Sequence, residues 1–220
     1  IVGGKKTKFT VVRYGNVMSS RGSVIPKMIE DIKKYKTIFI TDKNMTRFNI
    51  TLEQSVNFVL KDLNRSYDKV GKNYTLSYSP IDKTQVYNAG LLGVKLMSLV
   101  YAFTGDESLL SESKKIVTYV CENQNLNGSW AYSKLPYHQW IDSFHTGYNL
   151  ECIFTYQKIS KDKTFNTYYE KGLKYYVDNF FTNEGMPKYY NTSIYPIDIH
   201  SPAQFFVTIA KSCKKDGARA

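Results

Sequence analysis

Three short stretches place an aspartate ahead of a helical pattern, and two of them add a histidine. Asp142 is followed by His145 and Asp198 by His200, whereas Asp82 has no histidine beside it. A carboxylate next to an imidazole suits general acid–base chemistry, because the carboxylate orients the ring and the ring exchanges a proton near neutral pH. The candidate catalytic residues are therefore Asp142, His145, Asp198 and His200.

A structural interpretation of the three aspartates stays open. A carboxylate at the start of a helix accepts hydrogen bonds from the free N–H groups of the first turn. Repetition favours capping over catalysis, because capping residues recur in repeats and catalytic residues rarely do. A metal site is not indicated, since the chain contains no His-x-x-x-His pair and no set of cysteine ligands.

Aromatic residues are abundant near these aspartates. The chain has 19 tyrosines and 2 tryptophans, and Tyr132 and Trp140 lie just before Asp142. Flat rings of this kind can stack on the apolar face of a sugar, so both are candidate substrate-binding residues. Packing in the core or at its rim is the alternative for aromatic side chains in general.

The elements that would position these residues repeat along the chain. An Ile-Asp pair precedes a helical pattern three times, with spacings of 60 and 56 residues between the aspartates. Apolar periodicity predicts helices over residues 85–103, around 116–120, over 143–159 and over 164–181. A third copy begins at 196. The unit is thus a helical hairpin of about 57 residues, present about two and a half times.

The first part of the chain has a different pattern. Residues 9–14 and 37–41 are β-branched and aromatic and predict short strands. Pro26 suits a first helical turn, and Thr51 suits the cap of a second helix. Strand–helix–strand–helix order indicates an α/β unit. We therefore expect two domains, 1–66 and 67–220.

Motifs in this first part resemble a known family. The stretches that carry the likeness, in order, are 8–17, 20–26, 40–42, 45–48 and 50–53. Together they resemble, over residues 1–62, the C-terminal part of bacterial UDP-N-acetylglucosamine 4,6-dehydratases, which are extended short-chain dehydrogenase/reductases of the polysaccharide biosynthesis family. The resemblance implies a Rossmann-type fragment that binds the UDP half of a nucleotide sugar. The implied binding residues are Asn16, Ser23, Val24, Ile25 and Arg47.

The same resemblance implies what this chain lacks. In the family, the catalytic Tyr-x-x-x-Lys lies ahead of the matching segment, and no Gly-x-Gly-x-x-Gly follows a strand in this chain. We therefore expect a protein without the NADP-binding and catalytic part, inactive by itself as a dehydratase. NADP is expected only together with a preceding segment.

The helical part resembles a second family. The strings at 140–147 and 195–201 are similar to those of α/α toroids encoded with bacterial polysaccharide genes, and the likeness covers residues 70–213. It implies a mainly α fold that ends in an incomplete α/α toroid. Such toroids include hydrolases, lyases, epimerases and scaffolds. An incomplete toroid would expose an apolar flank, which favours association into oligomers.

Charge and composition restrict the partners. The net charge is +11, but the lysines are scattered rather than interleaved with aromatics, so a nucleic-acid partner is not favoured. The sequence contains no apolar run of about 20 residues that would cross a membrane. Three widely spaced cysteines fit a reducing cytoplasm.

These features lead to one principal hypothesis and two alternatives. The principal one is a cytoplasmic protein of bacterial surface-polysaccharide biosynthesis that resembles a UDP-sugar 4,6-dehydratase and handles a UDP-sugar or glycan. The first alternative is an α/α-toroid enzyme that acts on a glycan by hydrolysis, elimination or epimerisation. The second is a non-catalytic carbohydrate-binding or scaffold module.

Overall fold

The computed structural model of the chain describes residues 16–17, 24–40, 42, 44 and 49–213. The chain divides into two compact units, Ile1–Ser55 and Val56–Ala220. The sequence patterns predicted the domain boundary at 66/67, and the division between the compact units lies at 55/56. The described residues are mainly helical, as predicted, with two small two-stranded sheets.

The first unit contains a strand–helix–strand arrangement. Strand β1 (Asn16–Val17) pairs in parallel with β2 (Asn49–Ile50), and helix α1 (Val24–Tyr35) lies in the connection between them. Parallel neighbours require such a crossover connection. Pro26 falls in the first turn of α1, where its missing N–H breaks no helical hydrogen bond.

Helix α2 (Leu52–Lys61) follows β2 and runs across the division between the units. Thr51 caps it, as predicted: the Thr51 hydroxyl accepts a hydrogen bond from the Gln54 N–H at 3.0 Å, and the Gln54 side chain accepts one from the Thr51 N–H at 2.9 Å. This reciprocal pair satisfies two donors that the first helical turn otherwise leaves free.

The strands predicted from the β-branched runs differ from those observed. The run 9–14 lies outside the described residues. The run 37–41 was predicted as a strand, but its described residues 37–40 are not one. Phe39 and Ile40 are 65% and 68% exposed. A β-branched composition stabilises a strand only where its side chains pack against neighbours.

In the second unit, α2 is followed by a hairpin that the sequence patterns missed. Strand β3 (Arg65–Tyr67) pairs antiparallel with β4 (Tyr74–Leu76). The Asp68 carboxylate holds the turn, because it accepts hydrogen bonds from the backbone N–H groups of Val70, Lys72 and Asn73 at 3.0–3.1 Å. Every residue of β4 is buried, so the hairpin belongs to the core.

Five α-helices follow within residues 77–213, and three of them lie close to the bounds that the periodicity predicted. They are α3 (Tyr87–Thr104), α4 (Glu107–Glu122), α5 (Ser143–Ser160), α6 (Asn166–Asn179) and α7 (His200–Ser212). Helix α5 packs between α3 and α7, while α4 packs on α3 and α6 packs on α5. The predicted helical hairpins are therefore present, with α3, α5 and α7 as one row and α4 and α6 behind it.

Closure of this row into a toroid stays a prediction. On α7, Phe206 and Val207 are 68% and 43% exposed, and on α3, Phe103 is 83% exposed. Helices α3 and α7 thus present apolar side chains at the two ends of the row. Association through them also stays a prediction.

Trp130 fixes the two hairpins against each other. It lies in the connection after α4, is 2% exposed, and donates its indole N–H to the Val120 carbonyl at 3.0 Å. A Cβ at Gly172 of α6 would lie 2.6 Å from the Trp130 ring. Only glycine permits this approach, so α6 lies directly on the indole.

Candidate functional site

Asp142 and His145 form a tightly bonded pair at the start of α5. Asp142 is the N-cap of the helix and is 3% exposed. One carboxylate oxygen accepts the backbone N–H of His145 at 2.9 Å, and the other lies 2.7 Å from His145 Nδ1. The capping and acid–base interpretations of Asp142 are therefore compatible, because the two oxygens serve different partners.

This geometry assigns the two ring nitrogens of His145 to different tasks. Nδ1 faces the Asp142 carboxylate, so it carries the proton of that hydrogen bond. Nε2 is then the nitrogen that can exchange a proton with a ligand. The side chain of His145 is 19% exposed, against 1% for that of Asp142, so the imidazole is the solvent-accessible member of the pair.

Aromatic rings surround the His145 imidazole. Tyr132 meets it edge-on, with ring centroids 4.7 Å apart, and Tyr132 itself stacks on Trp140 at 4.8 Å and 16°. Phe144 covers the imidazole at 4.1 Å. Four of the sequence-predicted residues are thus brought together: Tyr132, Trp140, Asp142 and His145. We call these four residues the dyad site.

His138 also belongs to this cluster, and the sequence patterns missed it. It lies in a short 3-10 turn, Pro136–His138, and its ring contacts Tyr132 at 5.3 Å and Trp140 at 5.0 Å. Its Nδ1 lies 3.0 Å from the buried Ser133 hydroxyl. The repeated Ile-Asp motif does not include His138, so only its closeness in sequence to Trp140 could have indicated it.

Tyr78 reaches the same region from the loop after β4. Its hydroxyl donates to the Asn88 side chain on α3 at 2.8 Å. Partial burial raises the pKa of Tyr78, and the neighbouring Tyr132 and Asp142 raise it further. The phenol therefore stays neutral at physiological pH and can act as a hydrogen-bond donor.

The connection after α6, which precedes the third copy, covers the start of α5. Asp142 forms a β-bridge with Tyr190, and the Ser143 N–H donates to the Tyr189 carbonyl at 2.8 Å. Burial raises the pKa of Tyr189, and the Asp142 and Asp198 charges add to the shift. The connection after α6 thus runs over the dyad site.

Asp198 and His200 form a second, more exposed pair. Asp198 Oδ1 accepts the His200 backbone N–H at 2.9 Å and lies 2.7 Å from His200 Nδ1. These hydrogen bonds lower the pKa of Asp198. The His200 side chain is 74% exposed, so its imidazole is far more open to solvent than that of His145.

The three repeated aspartates do not occupy equivalent positions. Asp142 is the N-cap of α5, Asp198 lies two residues before α7, and Asp82 lies five residues before α3. The side chain of Asp82 accepts hydrogen bonds from Thr84 at 2.8 Å instead of capping α3. Capping of all three helix starts by these aspartates was therefore too general an interpretation.

The residues implied for UDP binding are placed only in part. Asn16 lies in β1, Val24 begins α1 and is 45% exposed, and Ile25 is half-buried beside it. Ser23 and Arg47 lie outside the described residues. Their role as a UDP site stays a prediction.

Among the described residues, no His, Cys, Asp or Glu side chains gather in a group of three that could hold a metal ion. None of the helices described has the length and apolar character needed to span a membrane.

The first part of the chain is similar to known proteins. Residues 2–80 match the family model described as polysaccharide biosynthesis protein. The match lies in the N-terminal part of this chain and extends beyond the predicted 1–62 to include the β3–β4 hairpin. The helices from α3 onward lie outside it.

Several relatives share this segment, among them the following three. UDP-glucose 4-epimerase of Rickettsia bellii is 58% identical over 55 residues, which are 25% of this chain and 16% of the relative. UDP-N-acetylglucosamine 4,6-dehydratase (inverting) of Campylobacter jejuni is 50% identical over 68 residues, 30% of this chain and 20% of the relative. An uncharacterised membrane protein of Methanocaldococcus jannaschii is 48% identical over 59 residues, which are 27% of this chain and 18% of the relative.

This chain spans about a fifth or less of the length of these relatives. The resemblance to the 4,6-dehydratases that the motifs indicated is confirmed for the N-terminal region. Together with the epimerase, it supports a general role in nucleotide-sugar and polysaccharide metabolism.

Proposed function

We propose that this protein takes part in the biosynthesis of a bacterial surface polysaccharide and that its first part contributes to the binding of a UDP-sugar. The observation that carries the proposal is the family match over residues 2–80. Two of the relatives that share this segment are named as UDP-sugar enzymes. Arg47 would bind the diphosphate, because a guanidinium makes paired hydrogen bonds to phosphate oxygens.

Isothermal titration of the whole chain with UDP and UDP-N-acetylglucosamine tests this proposal. We expect both to bind and Arg47→Ala to weaken binding about tenfold, as the loss of a charged hydrogen bond does. Lys34→Ala is the control, since it removes one positive charge from the exposed surface of α1. Absence of UDP binding, or equal weakening in both variants, would contradict the proposal.

We infer a second function for the helical part: acid–base chemistry on a glycan at the dyad site. The observation that favours it is the buried Asp142 carboxylate on His145 Nδ1, beside the stacked Tyr132 and Trp140. Asp142 would hold the imidazole in one tautomer and one orientation. His145 Nε2 would then accept or donate a proton at the sugar, while the aromatic pair binds the apolar face of the ring.

A proton transfer at His145 Nε2 is compatible with three reactions: hydrolysis, elimination and epimerisation. Proton NMR in D2O separates them, because they produce a new reducing end, a vinyl signal and loss of a sugar C–H signal, respectively. The probes are UDP-N-acetylglucosamine and the trisaccharide of N-acetylglucosamine.

We expect His145→Ala to abolish the reaction that the unaltered protein shows by NMR. Asp142→Asn should slow that reaction about 100-fold, which is in the range that general acid–base catalysis contributes. His200→Ala is the matched control, because it removes an imidazole that is also paired with an aspartate but exposed. If neither probe changes, or if His145→Ala reacts at the original rate, the second function is rejected.

A further inference from the structure

A basic cavity lies at the opposite end of α5 from the dyad site. Its volume is about 310 Å3, and it lies where α5 ends and α6 begins. Lys158 is 13 residues after His145 on the same helix, about 20 Å along the axis at 1.5 Å per residue. The cavity is therefore separate from the chemistry assigned to His145.

Three lysines line this cavity: Lys158, Lys161 and Lys163. All three are exposed. The ion pairs recorded across residues 49–213 leave these lysines without a carboxylate partner. Their ammonium groups are therefore available to an anionic ligand, and Glu170 is the one lining carboxylate besides Asp162.

The aspartate between these lysines is already neutralised by another residue. Asp162 pairs with Lys114 of α4 at 2.9 Å and accepts the Thr164 N–H at 2.9 Å. Burial alone would raise the pKa of Asp162, but these hydrogen bonds lower it to about 2. Asp162 thus stays ionised on Lys114, and the three lysines keep their excess positive charge.

The first hairpin provides an internal comparison. Its turn has Gly105 at φ 72°, where the second hairpin has Lys161 at φ 62°. Both residues donate the backbone N–H to the carbonyl four residues earlier, at 2.8 and 2.9 Å. The positions equivalent to Lys158 and Lys163 in the first hairpin are Ala102 and Glu107. The backbone turn is the same, so the lysines are not needed to form it.

Lys161 also adopts a conformation that glycine adopts more easily. A left-handed backbone at a non-glycine residue carries a steric cost, and the first hairpin avoids this cost with glycine. The turn therefore does not require a lysine at position 161, since glycine forms the same turn in the first hairpin.

The remaining lining groups suit a sugar. Phe154 and Tyr169 present their rings 5.9 Å apart at 37°, and the Lys158 ammonium lies 6.0 Å from the Phe154 centroid. The Gln157 and Asn166 amides bond to each other at 2.5 Å and offer polar groups to hydroxyls. A volume near 310 Å3 is at the small end of ligand pockets, which suits a monosaccharide rather than a polymer.

We propose that this cavity binds a phosphorylated monosaccharide, with Lys158, Lys161 and Lys163 around the phosphate and the Phe154 and Tyr169 rings against the sugar. Lysine is an effective point-charge partner for phosphate. The proposal goes beyond the functions inferred above and requires neither the UDP site nor the dyad site.

Isothermal titration of the whole chain with glucose 1-phosphate, glucose and inorganic phosphate tests the proposal. We expect glucose 1-phosphate to bind most tightly, glucose not to bind, and affinity to fall with added salt. Lys161→Gly should weaken binding about tenfold. This variant relieves the left-handed strain, so it keeps or gains thermal stability, and weaker binding cannot be due to unfolding.

Two controls make the outcome decisive. Lys83→Ala removes a lysine that does not line the cavity, and His145→Ala alters the dyad site; both should leave glucose 1-phosphate binding unchanged. Three results would overturn the proposal: no binding of glucose 1-phosphate, equal affinity for inorganic phosphate, or unchanged affinity in Lys161→Gly.

Discussion

At the scale of single residues, Asp142 shows how one carboxylate serves both fold and site. Asp106 is the N-cap of α4, and its carboxylate bonds only within its own turn, to the Ser108 N–H and hydroxyl. Asp142 also accepts a backbone N–H of the first turn, that of His145, but in addition it holds the His145 imidazole, and unlike Asp106 it is buried. The difference between these two caps is what marks Asp142 as a candidate functional residue.

This difference predicts unequal costs of substitution. Asp142→Ala should lower the free energy of unfolding by about 2 kcal/mol, because the cap and the buried partner of His145 are both lost. Asp106→Ala should cost about 1 kcal/mol, the effect of a cap alone. Urea unfolding followed by circular dichroism measures both, and equal costs would show that the bond to His145 contributes nothing to stability.

At the scale of helices, Glu151 connects the row formed by α3, α5 and α7. It lies on α5 and is 4% exposed. Its carboxylate accepts hydrogen bonds from Lys95 of α3 at 2.7 Å, from Gln204 of α7 at 3.0 Å, and from Lys211 of α7. One side chain therefore connects three helices and fixes how they lie along one another.

The charge of Glu151 should make stability depend on pH in the acid range. Burial alone would raise its pKa, but the hydrogen bonds from Lys211, Lys95 and Gln204 lower it from the ordinary 4.5 to about 2. Because the folded pKa is lowered, the stabilisation is complete above pH 4.5 and is lost as the pH falls toward 2. The shift corresponds to about 3 kcal/mol.

Glu151→Gln tests this prediction through urea unfolding at pH 7, 4 and 3. We expect a loss of about 3 kcal/mol at pH 7 and a smaller loss at pH 3. Asp178→Asn is the control, since it breaks an exposed pair with Lys174 on α6 and should change stability by less than about 0.5 kcal/mol. A loss that is independent of pH would contradict a role for the carboxylate charge.

At the scale of the whole molecule, the family match and the structural division do not coincide. The match ends at residue 80, whereas the division lies at Ser55–Val56. The matched segment thus includes the first unit, α2 and the β3–β4 hairpin. Since β4 packs on α3 and α4, the last part of the matched segment belongs to the core of the helical unit.

The helical unit should fold without the first unit. Its buried apolar cluster is formed by residues from Val56 to Phe180, and a separate core is what allows a domain to fold by itself. A fragment of residues 51–220, which keeps α2 and its cap, is expected to show a helical spectrum and one cooperative thermal transition. A gradual transition in circular dichroism would indicate that the second unit depends on the first.

The sequence determined the local features of this protein. Apolar periodicity predicted the helices α3, α5 and α6 to within two residues at each end. The proximity of Asp142 to His145 was also predictable, because residues three apart at a helix start lie on one face. The N-terminal motifs identified the family segment, since their likeness does not depend on how the chain packs.

The tertiary structure decided everything that joins distant residues. Glu151 meets Lys95 and Lys211, which are 56 and 60 residues away, and Lys114 neutralises Asp162 from another helix. His138 joins the dyad site only because a short turn folds it onto Tyr132 and Trp140. Periodicity shows which face of a helix is buried, but the neighbour of that face depends on how helices pack, and no local pattern specifies it.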